Sequence, residues 1–255
     1  MTFDEVSRGM GLFDDCFELS VSEVGSVRST GELRPFIDRL LGRYGLRHAV
    51  YLAVALPNHV DAHSVVVSTY PEQWSQRYID QDYVAIDPVV SAAATNLLPF
   101  DWAELSHRGI RVKQMFDEAR EFGVGRHGLC FPVRGPLGDN ALFAVTSDAS
   151  TGEWQKLKPS YMRDMQLIAH FVHGKVLEFE SGESAPIKPL SAREREVLGW
   201  AARGLNNDQI AFKLGISERV VRAYFESARH KLNCVNRSHV LARAVSLRLV
   251  GPATV

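Results

Sequence analysis

Residues 190–250 constrain this chain more than any other stretch, because helix starts and stops can be read there from local chemistry alone. Ser191 followed by Glu194 is a capping box, and Asn206 with Gln209 is a looser version of it. Ser217 is a third N-cap, immediately ahead of a run of charged and apolar residues. Gly204 and Gly215 stand where the first and second helices should stop, since glycine takes a left-handed conformation at little cost. A short helix, a Gly-Ile-Ser turn and a longer helix over 218–232 make the layout of a helix-turn-helix.

Charge divides the chain in the same place. From Ile187 onward there are 12 Lys/Arg and 5 Asp/Glu, a net of +7. The preceding residues hold 17 basic and 25 acidic side chains, a net of −8, so the total of −1 conceals two halves of opposite sign. A basic module beside an acidic one implies that only the C-terminal part meets phosphate.

This stretch resembles the DNA-binding domain of the LuxR superfamily. The matching positions are Leu190, Arg193, Glu194, Glu196, Leu198, Ala202, Gly204, Ile210, Ala211, Leu214, Ile216, Ser217, Val221, Ala228, Lys231, Leu232, Asn236 and Arg237. Most of these are core or cap positions that specify a helical fold and say nothing directly about bases. Val220 and Glu226 depart from the usual pattern, which bears on the operator rather than on the fold. The resemblance implies double-stranded promoter DNA as a partner, contacted from Ser217, Arg219, Arg222, Glu226, Arg229 and Lys231. Arg222, on one face with Arg219 and Glu226, is expected to read a base, and guanine suits a bidentate arginine. Arg219, Arg229 and Lys231 are expected to meet either phosphate or solvent.

At 255 residues two domains are natural, and 45% hydrophobic with 23% charged residues is ordinary for a globular protein. No run of eighteen apolar residues exists and the first residues lack an apolar signal core, so no membrane span is expected and a cytoplasmic setting is. Cys16, Cys130 and Cys234 are odd in number and widely spaced, which argues against disulfides and a zinc knuckle. His59 and His63 fall in what reads as a turn between strands, and no metal or other cofactor is expected. Neither a Gly-rich phosphate loop nor a G-x-S-x-G elbow is present, so no enzymatic activity is expected.

The N-terminal part alternates helix and strand signals. Helices are expected over 32–44, 72–80, 89–95, 112–121 and 160–179, and strands over 49–56, 64–68, 129–133 and 141–146, the last two joined by a hairpin at 135–139. Helices around a meander of strands give an α/β/α sandwich, so the whole reads as α/β plus all-α, with a four-helix helix-turn-helix domain at the C-terminus. The expected division is a ligand domain over 1–178, a polar linker over 179–189 and a DNA domain over 190–255. On the helix after residue 160, Met162, Met165, Ile168, Ala169, Val172 and Val176 share a face.

Tyr70, Trp74, Tyr78, Asp87, Pro88 and Trp102 form a second constellation. Trp74 and Tyr78, four apart, share a helical face, and Asp87-Pro88 opens the next helix. Taken alone these residues read as core packing, with Asp87 as a helix cap, rather than as a ligand site. With Gly128 they resemble the autoinducer-binding domain of quorum-sensing LuxR receptors. That resemblance implies an N-acyl-homoserine lactone held inside the sandwich, a homodimer packed through the long helix, and RNA polymerase as a further partner. Trp74 then suits a lactone carbonyl, Asp87 the amide N–H and Tyr70 the amide carbonyl, with Tyr78 and Trp102 as flat walls. Val89, Cys130 and Ala144 are expected at the acyl end, which is short of donors for a 3-oxo group. A phosphorylated receiver lacks its acidic set here, a lactone-degrading enzyme lacks its nucleophile or metal cluster, and a ligand-independent relative remains the nearest alternative.

Overall fold

The structure, a computed structural model, describes residues 3–55, 64–106, 108–135, 138–183 and 188–250. His59 and His63, with the turn read around them, lie outside the described residues. The chain forms two compact units, one from residues up to 134 and from 140 to 182, the other from residues 135 to 139 and from 183 onward.

The first unit is an α/β/α sandwich. In chain order it runs α1 (Phe3–Ser26), α2 (Thr30–Tyr44), β1 (His48–Ala55), β2 (Val65–Ser68), α3 (Glu72–Asp80), a 3₁₀ turn (Tyr83–Ala85), α4 (Pro88–Thr95), β3 (Phe100–Asp101), a second 3₁₀ turn (Trp102–Glu104), α5 (Ile110–Glu121), β4 (His127–Arg134), β5 (Asn140–Ser147) and α6 (Thr151–Glu183). The strands form one sheet in the order β2-β1-β5-β4-β3, antiparallel at every pairing. Alternation along the strands supplies two cores. Tyr51, Leu129, Phe131, Phe143 and Val145 face α2 and α6, while Cys130, Leu142 and Ala144 belong with α3, α4 and α5. β4 and β5 are buried on both faces, which is why they read as continuous apolar runs.

Beside α1, which has no counterpart among the expected helices, the structure differs from expectation at both ends of α6 and at β3. α6 begins at Thr151 rather than at residue 160, although Pro159 lies inside it and lacks an N–H. Packing on both sides of the proline outweighs that loss: Trp154 is buried and its indole N–H donates to Asp101 at 3.1 Å, while the Tyr161 hydroxyl donates to the Tyr44 carbonyl at 3.0 Å. At its other end α6 runs to Glu183, so the first five residues read as linker are helical. β3, two residues long, leaves no periodicity to detect. The apolar face expected on this helix is committed to its own domain: Met165, Ile168, Ala169, Val172 and Val176 are fully buried, and the apolar residues left exposed are Leu167 and Phe171.

The second unit holds α7 (Ala192–Ala202), α8 (Asn207–Leu214), α9 (Glu218–Lys231) and α10 (Arg237–Ser246) around Leu198, Ile210, Val221, Leu232 and Val240. All three expected N-caps form, and both boxes close reciprocally. Asn236 adds a fourth cap, accepting from the His239 N–H at 2.8 Å. α8 stops at Gly215, whose φ of +64 suits glycine.

Glu194 does more than close its box. Its side chain is buried, and it accepts from the Ser191 N–H (2.5 Å), the Ser227 hydroxyl (2.6 Å) and the Lys231 ammonium (2.8 Å). It therefore ties the start of α7 to the last turns of α9. Burial alone would raise its pKa, but Lys231 and the hydroxyl and amide donors outweigh burial and hold it at about 2. A carboxylate depressed in the fold stabilises above its unfolded pKa and loses that contribution as pH falls through the folded one. Protection of α7 and α9 amides from hydrogen exchange in the full chain is expected to fall between pH 5 and pH 2, whereas Glu194→Gln should cost on the order of 2 kcal/mol at neutral pH and flatten that acid dependence.

Candidate ligand cavity and nucleic-acid interface

Between the sheet and the layer of α3, α4 and α5 lies a cavity of about 390 Å³. Its walls are mostly apolar. β1 contributes Val50 and Leu52, β5 contributes Leu142 and Ala144, and α5 contributes Met115, Phe116 and Ala119. Seven of the nine residues expected at a ligand line it: Tyr70, Trp74, Tyr78, Asp87, Val89, Trp102 and Ala144. Two do not. Pro88 occupies the first helical position of α4, and Cys130, opposite Ala144 on β4, is fully buried among its neighbours. Sequence reasoning missed Val50 and Leu52, although they alternate out of phase with Ala49, Tyr51 and Ala53, whose side chains fill the other core. The phase of that alternation was the available signal.

Both readings of Asp87 hold at once. One carboxylate oxygen accepts from the Val89 N–H at 2.7 Å and caps α4, and the other accepts from the Tyr78 hydroxyl at 2.7 Å. Tyr78 is thus more than a flat wall, since it donates to the carboxylate. Each oxygen keeps a second lone pair for a donor arriving in the cavity. Burial raises the Asp87 pKa, with the Tyr78 and Val89 bonds opposing it. The Tyr70 and Tyr78 hydroxyls are pushed up by burial and then by the Asp87 charge, so both remain donors at neutral pH. Among the described residues the Trp74 indole N–H and the Tyr70 hydroxyl have no hydrogen-bond acceptor, and both side chains line the cavity. Trp74 meets Tyr78 at a ring separation of 5.8 Å, nearly edge-on.

On the second unit, Ser217 accepts from the Val220 N–H at 3.4 Å and opens α9. Arg219 is exposed with no ion pair among the described residues. Arg222, two-thirds exposed, is held by Glu218 one turn earlier, at 3.0 and 2.5 Å. Glu226 pairs with Arg229 at 2.9 Å, which offsets the charge of the departure at 226 and engages Arg229. Lys231 was expected to meet phosphate or solvent. It is instead committed to Glu194, a buried carboxylate that would be left uncompensated without it. Arg219 and Arg222 are therefore the expected DNA contacts that remain presented at the N-terminal half of the helix.

Residues 29–176 match the model for the autoinducer binding domain, more than half the chain, and residues 188–244 match that for bacterial regulatory proteins of the luxR family. The chain belongs to the LuxR family of autoinducer-binding transcriptional regulators. These are regulators and not enzymes. This LuxR-family regulator is 37% identical to the transcriptional activator protein RaiR of Rhizobium etli over 187 residues, covering 73% of this chain and 77% of that protein. It is 27% identical to the transcriptional activator protein VanR of Vibrio anguillarum over 235 residues, covering 91% and 96% respectively. The solved structure of SdiA in complex with octanoyl-rac-glycerol shares the fold, with a TM-score of 0.71 at 19% identity over 92% of this chain and 95% of that one.

One packing contact of the regulator is especially tight. A Cβ built on Gly128 would lie 2.2 Å from Cδ2 of the Trp102 ring, which also packs edge-on against Phe116 at 6.1 Å. No ring can yield that much without leaving its place. Gly128→Ala is expected to push Trp102 into the cavity, to cost about 1–3 kcal/mol of stability as overpacking does, and to reduce any ligand-induced rise in melting temperature. Thermal denaturation of the variant with and without ligand measures both effects.

Proposed function

We propose that the regulator binds an N-acyl-homoserine lactone in the cavity of its first unit and, as a homodimer, binds palindromic promoter DNA through α9. The observation that carries the ligand reading is the convergence of four polar groups on one apolar cavity. The Trp74 N–H and Tyr70 hydroxyl are donors awaiting carbonyls, and the Tyr78–Asp87 pair is an acceptor for an amide N–H. In this reading Trp74 takes the lactone carbonyl, Tyr70 the amide carbonyl and Asp87 the amide N–H. The side chains of β1 and β5 that line the cavity, Val50, Leu52, Leu142 and Ala144, carry no hydroxyl, so for an acyl chain lying along these strands an unsubstituted, branched or aryl group is favoured over a 3-oxo one.

We assign ligand binding to a domain ending within α6 and DNA binding to one beginning at Leu190. Leu167 and Phe171, one turn apart and half-exposed on α6, support a homodimer packed through this helix. A symmetric pair of α9 helices suits half-sites about one helical turn apart. RaiR and VanR are named transcriptional activators, which supports activation, with RNA polymerase as partner; the expected setting is the cytoplasm. The expected mechanism is mass action: a ligand that binds only the folded domain at a hundred times its Kd stabilises it by about 2.7 kcal/mol.

Two measurements test this. N-acyl-homoserine lactones of graded chain length should raise the melting temperature in a concentration-dependent way, and Asp87→Asn should weaken binding by roughly 1.5–3 kcal/mol, the worth of a hydrogen bond to a charged group. Indifference of the folded wild type to the whole panel points to a ligand-independent regulator. For DNA, Arg222→Ala should cost on the order of 1–3 kcal/mol on the operator and relax specificity at one base pair of each half-site. Titrations against operators with single base-pair changes at two salt concentrations read this out. A loss equal across all sequences, with a shallower salt slope, makes Arg222 a backbone clamp instead.

A further inference from the structure

Behind the cavity wall, α3, the 3₁₀ turn after it and α5 meet at one carboxylate that does not line the cavity. Glu118 of α5 accepts four hydrogen bonds: from Arg77 Nε and Nη2 at 2.8 and 2.7 Å, from the Tyr83 hydroxyl at 2.8 Å and from Gln114 Nε2 at 2.9 Å. The Arg77 pairing is bidentate, the arrangement that fixes orientation as well as distance. The Arg77 guanidinium above all holds the Glu118 pKa down to about 2, so the clamp is fully charged at neutral pH.

The groups it holds are those that support the ligand-facing side chains. Arg77 lies on α3 between Trp74 and Tyr78. The Tyr83 ring packs against Trp74 and against Tyr78, each at 6.0 Å. Tyr83 thus rests its ring on both aromatic residues and its hydroxyl on Glu118. The turn leading to it passes through Asp82 at φ +49, a conformation that non-glycine residues avoid. Arg111 of α5 donates to the Gln81 carbonyl at 2.8 Å just before that turn. α5 therefore holds this segment at Arg77, Gln81 and Tyr83, and backbone off its preferred conformation persists only where its surroundings over-determine it.

We propose that Glu118 is a positioning residue for head-group recognition, fixing through Arg77 and Tyr83 the attitude of α3 and hence where the Trp74 N–H points in the cavity. The inference rests on the lactone reading above. Its physical basis is a difference in directionality. Hydrogen bonds weaken steeply when misaligned, whereas burial of an acyl tail is non-directional. Loosening the clamp should therefore impair recognition of the polar ring more than that of the tail.

The test compares two probes with one tail: N-octanoyl-L-homoserine lactone, and N-octanoylcyclopentylamine, which keeps the amide and the five-membered ring but lacks the lactone carbonyl. Binding of each to full-length wild type, Glu118→Gln and Tyr83→Phe gives a ratio of dissociation constants per protein. The wild type should prefer the lactone, and in each variant that preference should shrink about tenfold, as when one hydrogen bond is misdirected, with affinity for the cyclopentyl probe nearly unchanged. Equal losses for both probes, leaving the ratio at its wild-type value, would assign Glu118 a structural role only and overturn the inference. Should Glu118→Gln not fold, Tyr83→Phe carries the comparison, since it removes one hydroxyl and keeps the ring. A wild type that binds neither probe nor any lactone of the graded panel overturns the ligand reading and this inference together, which is visible before any variant is compared.

Discussion

A carboxylate set in an apolar wall must find donors or give up its charge, and at Asp87 that requirement organises the ligand side of the first unit. The Val89 N–H supplies one donor, which obliges α4 to begin where it does. The Tyr78 hydroxyl supplies the other, which obliges α3 to present that residue toward α4. Trp74 follows from Tyr78, because residues one turn apart share a face, and Tyr83 follows from both because its ring closes the aromatic triangle. The cavity is the space left once these side chains have met the needs of the carboxylate. The groups aimed at a polar head come from α3, from the start of α4 and from Tyr70, and the apolar surface is shared between the sheet and the helices facing it.

Much of the layout was legible because it is written in short-range chemistry. α3 matches its expected bounds to the residue, and α2, α4, β1, β4 and β5 fall within two residues of theirs, since each has a clean period of 2 or 3.6 and a recognisable start. The three expected caps of the second unit follow from single side chains bonding to backbone three residues on. What was not legible depends on distant partners. Pro159 looks like a stop until Trp154 and Tyr161 are seen anchored to Asp101 and Tyr44, residues 53 and 117 positions away. β3 exists only by pairing Phe100 and Asp101 with Cys130 and Leu129.

The site follows the same division. Residue types suited to a polar head group could be named, and seven of nine lie on the cavity. Cys130 does not line the cavity although Ala144, its partner across the strands, does, which side-chain alternation cannot reveal. Lys231 is a parallel case on the second unit. Its position near the end of an exposed helix suggests solvent or phosphate, and only the buried Glu194, 37 residues earlier, shows it to be a structural tether. Glu194 itself was recognised for its local cap and not for its tertiary bond, because one side chain serves both and only the first is written nearby.

The placing of the Asp87 bonds away from β1 and β5 has an evolutionary consequence. Helices and sheet contribute to the cavity from opposite sides, and their sequences are under different pressures. Substituting Val50, Leu52, Leu142 or Ala144 changes the volume and contour of the sheet wall without touching the bonds of Asp87. Such changes exchange one apolar side chain for another on the inner face of β1 or β5, and cores tolerate these exchanges best when total volume is kept. Lineages can thus drift in the signal they recognise, one aliphatic residue at a time, while the machinery that identifies the class of signal stays fixed.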